Sequence, residues 1–103
     1  MKKMKVKQFL HANQFELYEI SSNTERHNLQ SYDSLVCSIF YDKLDNQHII
    51  KLGRDWDYSK TTSTHVFAFL EEYGDVIFTT SNKRKEIENM IKENKIIYDE
   101  DMI

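Results

Sequence analysis

Across 103 residues there is no proline, and the only glycines are Gly53 and Gly74. A chain without these residues must build its turns from Asn, Asp and Ser, whose side chains bond their own backbone and tolerate left-handed conformations. It also has no Gly/Ser-rich or Pro-rich stretch that could serve as a linker between domains. One compact domain spanning 1–103 is the expectation. With 40% hydrophobic and 13% aromatic residues, the chain holds enough apolar surface for a single core. No internal repeat or low-complexity tract interrupts it.

The spacing of Val6, Phe9 and Leu10 predicts a short helix over Lys5–Ala12 ending at Asn13. From Gln14 to Ile20 the apolar residues alternate, which favours a strand. Ser21–Asp33 is polar without a clear period and reads as a loop. Leu35–Tyr41 and His48–Leu52 are dense in β-branched and aromatic residues, and the residues 43–46 between them supply a hairpin turn. Val66, Phe67, Phe69, Leu70 and Tyr73 then fall at spacings of three and four. This is the stripe of a helix packed on a sheet, with N-cap oxygens on Ser59, Thr61 and Thr62 and a stop at Gly74. Val76–Thr80 reads as a short strand, and Ile87, Met90 and Ile91 as the stripe of a last helix ending near Asn94. Ile96–Tyr98 reads as an edge strand or a docking segment, and Asp99–Asp101 as a frayed acidic tail. The sum is an α+β domain: a small, mostly antiparallel sheet of three to four strands packed on helices.

The charge balance narrows the function classes. Fourteen basic and seventeen acidic residues leave a formal net charge of -3. That is too even for a general phosphate-binding field and too weak for a mimic of DNA. Cys37 is alone, so an internal disulfide is excluded and a reducing compartment is expected. The lysine-rich N-terminus is followed by no apolar core of a signal peptide, and nothing approaches the ~20 apolar residues of a membrane helix. A cytoplasmic protein without membrane contact is the expectation. His11, His27, His48 and His65 show no zinc spacing, and the two glycines form no phosphate loop. No cofactor, resident metal, small-molecule substrate or catalytic residue is expected.

The most unusual segment runs from Gly53 to Thr62, between the second hairpin strand and the helix. Arg54, Asp55, Trp56, Asp57, Tyr58 and Lys60 place cations, carboxylates and two aromatic rings in one connection, the kind of segment that often carries function. Trp, Tyr and Arg are enriched at binding hot spots, which reads these six as a partner-binding loop. The plainer alternative packs Trp56 on the core and uses Asp55 or Asp57 to fix the turn. A catalytic alternative pairs Asp55 and Asp57, with His65, around a divalent cation in a small nuclease. Lys2, Lys3, Lys5 and Lys7 make one basic patch, and Lys83, Arg84 and Lys85 make a second at the start of the last helix. Together with aromatic residues on the sheet, these would serve a nucleic-acid-binding accessory protein.

The run Gln30-Ser31-Tyr32-Asp33-Ser34 followed by Asp55-Trp56-Asp57-Tyr58-Ser59-Lys60-Thr61-Thr62-Ser63 resembles a group of small proteins carried by plasmids and phages of low-GC Gram-positive bacteria. The resemblance covers roughly the central and C-terminal two-thirds of the chain and brings no catalytic residue with it. The composition, rich in Lys, Asn and Ile, is similar to that of such mobile elements. Company of this kind includes inhibitors of host defence, type II anti-CRISPR proteins among them. What the resemblance implies is a non-enzymatic protein that binds a type II RNA-guided effector nuclease, with or without its guide RNA, and blocks guide loading, target binding or cleavage.

Overall fold

A computed structural model describes residues 3–8 and 14–102. Five strands form an antiparallel meander in chain order: β1 (Lys3–Gln8), β2 (Gln14–Ile20), β3 (Thr24–Ser31), β4 (Ser34–Asp42) and β5 (Gln47–Gly53). Helices α1 (Lys60–Tyr73) and α2 (Lys83–Lys92) follow, and β6 (Ile97–Asp99) returns to pair parallel with the end of β5. The α+β class holds, with a sheet of six strands among the described residues rather than three or four.

The register explains which face is buried. Glu16, Leu29, Cys37 and Leu52 stand in one cross-strand row, and Tyr18, His27, Ile39 and Ile50 in the next. The side chains of Leu29, Cys37, Ile39 and Leu52 are fully buried, and Val66, Phe69 and Leu70 of α1 close over them. Each such side chain contributes roughly 1.5–3 kcal/mol, which outweighs any surface ion pair. Burial pushes the Cys37 thiol well above its ordinary pKa, so it serves as a small core residue. Among the described residues, no helix is long and apolar enough to cross a membrane.

Several expectations fail for identifiable reasons. Lys5–Gln8 lies in β1, paired residue by residue with β2, and not in a helix; the remainder of that expected helix and its cap at Asn13 lie outside the described residues. Three apolar residues at helical spacing are a weak stripe, and a helix this short is marginal without tertiary support. Most of the expected loop Ser21–Asp33 is the central strand β3. Its polar inner residue is tolerated because it has a partner: His27 Nδ1 lies 2.6 Å from Glu16 Oε2, while Tyr73 Oη donates to Glu16 Oε1 at 2.6 Å. The His27 ring also stacks on Tyr73 at 4.0 Å between centroids. A buried polar cluster thus holds β2, β3 and α1 together, and alternation of apolar residues alone cannot reveal such a strand.

Val76–Thr80 is not a strand. The amides of Thr79 and Thr80 donate to the Glu86 carboxylate, at 2.9 and 3.1 Å, rather than to a neighbouring strand. Asp99 ends β6 rather than fraying, and its carbonyl accepts the Met102 amide at 3.2 Å. Other boundaries are as the sequence predicts. Residues 43–46 turn the β4–β5 hairpin, Ser59 caps α1 by accepting the Thr62 amide at 3.1 Å, and Gly74 ends α1. Gly74 is needed for space, since a Cβ there would lie 2.9 Å from the Leu70 carbonyl oxygen and 3.2 Å from Ile50 Cδ1. The left-handed residue is the next one, Asp75.

Candidate binding cleft

Two connections at one end of the sheet form the walls of a cleft. The first is the β3–β4 turn, in which Ser31 pairs with Ser34 and only Tyr32 and Asp33 lie between. Tyr32 has φ 54°, whereas Asp33 is not left-handed. A positive φ in a two-residue hairpin turn is a position where glycine, asparagine or aspartate is usual. A bulky residue there is unfavourable, because its Cβ crowds the backbone. The turn is held by Gln30 Nε2, which donates to the Tyr32 carbonyl at 2.8 Å. Pairing of Leu29 with Cys37 and of Gln30 with Leu35 leaves Val36 as the extra residue of a β-bulge, and this re-aims the hairpin end.

The second wall is the β5–α1 loop, residues 54–59. Gly53 must be glycine for the strand to enter it, since a Cβ would fall 2.5 Å from the Leu35 carbonyl oxygen. The loop coils back through two short backbone bonds, Trp56 N–H to Gly53 O and Tyr58 N–H to Asp55 O, each 3.1 Å. Trp56 is 5% exposed and belongs to the core cluster. Tyr58 is 77% exposed. Of the two rings in this loop, one therefore anchors it and the other is presented to solvent.

Hydrogen bonds tie the walls together. Ser34 Oγ donates to Asp55 Oδ2 at 3.0 Å, and Ser31 Oγ lies 3.0 Å from Thr62 Oγ1 in a buried contact. Between them is a cleft of about 440 Å³ lined by Ser31, Tyr32, Asp33, Ser34, Val36, Asp55, Tyr58 and Thr62. Its floor is hydroxyl-rich with one valine, its rim carries two tyrosines, and its charges are two carboxylates.

The sequence-predicted site residues fall into three groups. Asp55 and Tyr58 line the cleft. Arg54 and Lys60 are exposed beside it, with Arg54 Nε 3.8 Å from Asp55 Oδ1. Trp56 and Asp57 support it from behind: Asp57 is paired with the Arg84 guanidinium, which also lies 6.0 Å from the centre of the Trp56 ring. This pairing ties part of the second basic patch to the β5–α1 loop while Arg84 stays exposed. Lys83 Nζ is 3.4 Å from Glu71 Oε1 and sits over the rings of Phe67 and Phe78, while Lys85 is exposed. The side chains of the N-terminal lysine patch lie outside the described residues.

The carboxylates proposed for a metal site do not converge. Asp55 accepts from Ser34, Asp57 pairs with Arg84, and His65 is buried on the inner stripe of α1, not among the cleft residues. Among the described residues no group of three or more His, Cys, Asp or Glu side chains could hold a metal ion. Sequence reasoning missed the opposite wall, Tyr32 and Asp33. The signal was present in the same run of residues that carried the resemblance, but a polar stretch read as loop offered no reason to place it against residues 55–62.

A family model described as a family of unknown function matches residues 4–89, a stretch that contains both walls of the cleft. No curated protein and no solved structure matches the chain.

Proposed function

The chain belongs to the family of unknown function DUF8033, and from that premise we propose that it acts without catalysis, by binding a protein partner at the cleft between the β3–β4 turn and the β5–α1 loop. The partner we propose is a host defence protein of the type II RNA-guided nuclease class. The observation that carries the binding reading is Tyr58, 77% exposed on a loop whose neighbouring ring, Trp56, is locked in the core. An exposed tyrosine on a pre-ordered support adds contact area at small entropic cost, as at interface hot spots. The choice of partner is supported by the resemblance to mobile-element proteins of Gram-positive bacteria. The nucleic-acid reading is weakened because Arg84 and Lys83 are engaged by Asp57 and Glu71.

The test is recovery on tagged protein from a Gram-positive lysate containing a type II effector with its guide RNA, followed by protein and RNA identification. The effector should be retained, and Tyr58→Ala should release it while the variant keeps its melting temperature. Retention of nucleic acid alone, lost at moderate salt, would replace this reading with a nucleic-acid accessory role.

A further inference from the structure

We propose that the cleft takes an arginine side chain projected by the protein partner, with its guanidinium against the rings of Tyr32 and Tyr58 and the carboxylates of Asp33 and Asp55. This rests on the reading of the cleft as a protein-binding site. Among the described residues the lining holds two carboxylates and no cation; Arg54 beside the cleft offsets Asp55 in part, and Asp33 is the charge an anionic group would meet uncompensated. Asp33 is exposed and makes no hydrogen bond or ion pair among the described residues. Asp55 lines the wall with both oxygens placed: Oδ2 accepts from the Ser34 hydroxyl, and Oδ1 lies 3.8 Å from Nε of the exposed Arg54. A cation beside aromatic faces and carboxylates gains from both, and the planar guanidinium suits this better than an ammonium because it stacks and donates through two N–H groups at once.

Tyr32 supplies an independent observation. Its ring is half exposed, lines the cleft, and is carried at φ 54°, a position that folding alone would give to glycine or asparagine. Unfavourable backbone geometry held in place by its surroundings concentrates at functional sites. The phenol ring at this position makes no side-chain hydrogen bond among the described residues and is presented at the cleft, where a partner would meet it. The cleft, at about 440 Å³, accommodates one arginine side chain with part of the backbone that presents it.

The experiment is amide NMR of the full chain titrated with the blocked peptide Gly-Arg-Gly-Arg-Gly and its lysine and citrulline counterparts. The arginine peptide should shift the amides of Tyr32, Asp33, Ser34 and Tyr58 saturably, the lysine peptide should bind roughly tenfold more weakly, and the citrulline peptide should leave them unmoved. Asp33→Asn and Tyr32→Gly should each weaken the arginine peptide several-fold. Because Tyr32→Gly relieves the turn, its melting temperature should rise, so lost binding cannot be ascribed to unfolding. Equal shifts with citrulline, equal affinity for lysine, or shifts confined to other regions would overturn the inference. Should the peptide bind as described while no effector is recovered from lysate, the arginine cleft stands and the nuclease partner falls. Should the effector be retained equally by wild type, Asp33→Asn and Tyr32→Gly, with the cleft amides unmoved by peptide, the arginine inference falls alone.

Discussion

Two hairpin turns in this sheet make the same demand of the backbone and meet it with opposite residues. The β4–β5 turn places Asn46 at φ 53°, and the β3–β4 turn places Tyr32 at φ 54°. Asn46 suits its position, since asparagine tolerates the left-handed region, and its Oδ1 also accepts the Tyr41 hydroxyl at 2.8 Å. Tyr32 does not suit its position and makes no compensating side-chain hydrogen bond among the described residues. The first turn is optimised for closing a hairpin; the second accepts a worse backbone to display a ring beside Tyr58.

If the β5–α1 loop is held by core packing, Trp56→Ala should destabilise the protein by about 3–5 kcal/mol, read by denaturant unfolding. A change under about 1 kcal/mol would mean that the loop is held by its surface contacts instead. Exchange of the turn residues sharpens the contrast directly. Asn46→Tyr should cost about 1–2 kcal/mol for the left-handed conformation, with a further loss from the Tyr41 hydrogen bond, while Tyr32→Asn should stabilise by about 1 kcal/mol. Loss of stability in Tyr32→Asn would show that the ring serves the fold.

A smaller effect is expected at the start of α1. Ser59→Ala removes the oxygen that accepts the Thr62 amide and should cost about 1 kcal/mol, measured by thermal unfolding. The smallest belongs to a third connection, between the helices, which uses a side chain in place of a turn residue. Donation from the Thr79 amide, then the Thr80 hydroxyl, holds the Glu86 pKa at about 2, below its ordinary 4.5. Its depressed folded value means that this contribution is complete above pH 4.5 and is lost as pH falls toward 2. Glu86→Gln should lower stability slightly at neutral pH, and the variant and wild-type stability profiles should converge as pH falls toward 2.

What the sequence revealed and what it concealed follow from where each signal resides. The β4–β5 hairpin, α1 and α2 were legible because their apolar periods are long and their ends carry capping residues such as Ser59 and Gly74. The strand β3 was concealed because its inner positions include His27, whose burial depends on Glu16, eleven residues away, and on Tyr73 at the C-terminal end of α1. No local pattern reports a partner that distant. The cleft was half legible for the same reason. Residues 54–60 were conspicuous in composition, whereas Tyr32 and Asp33 became part of the site only once the β3–β4 turn was known to exist. The burial of Trp56 could not be read from its neighbours, since a tryptophan in a charged loop is equally compatible with anchoring and display.

The strand order carries a further consequence for how the molecule assembles. β1 to β5 pair only with their immediate neighbours in the chain, so each new strand can add to the last as it emerges, with short loops to close. The parallel strand β6 alone must wait for two helices before it covers Lys51–Gly53 at the end of β5. Until it arrives, that edge is open to any extended segment, including β5 of a second copy. The final three-residue strand thus shields only the last part of that edge, and it can do so only once the two helices that precede it in the chain are in place.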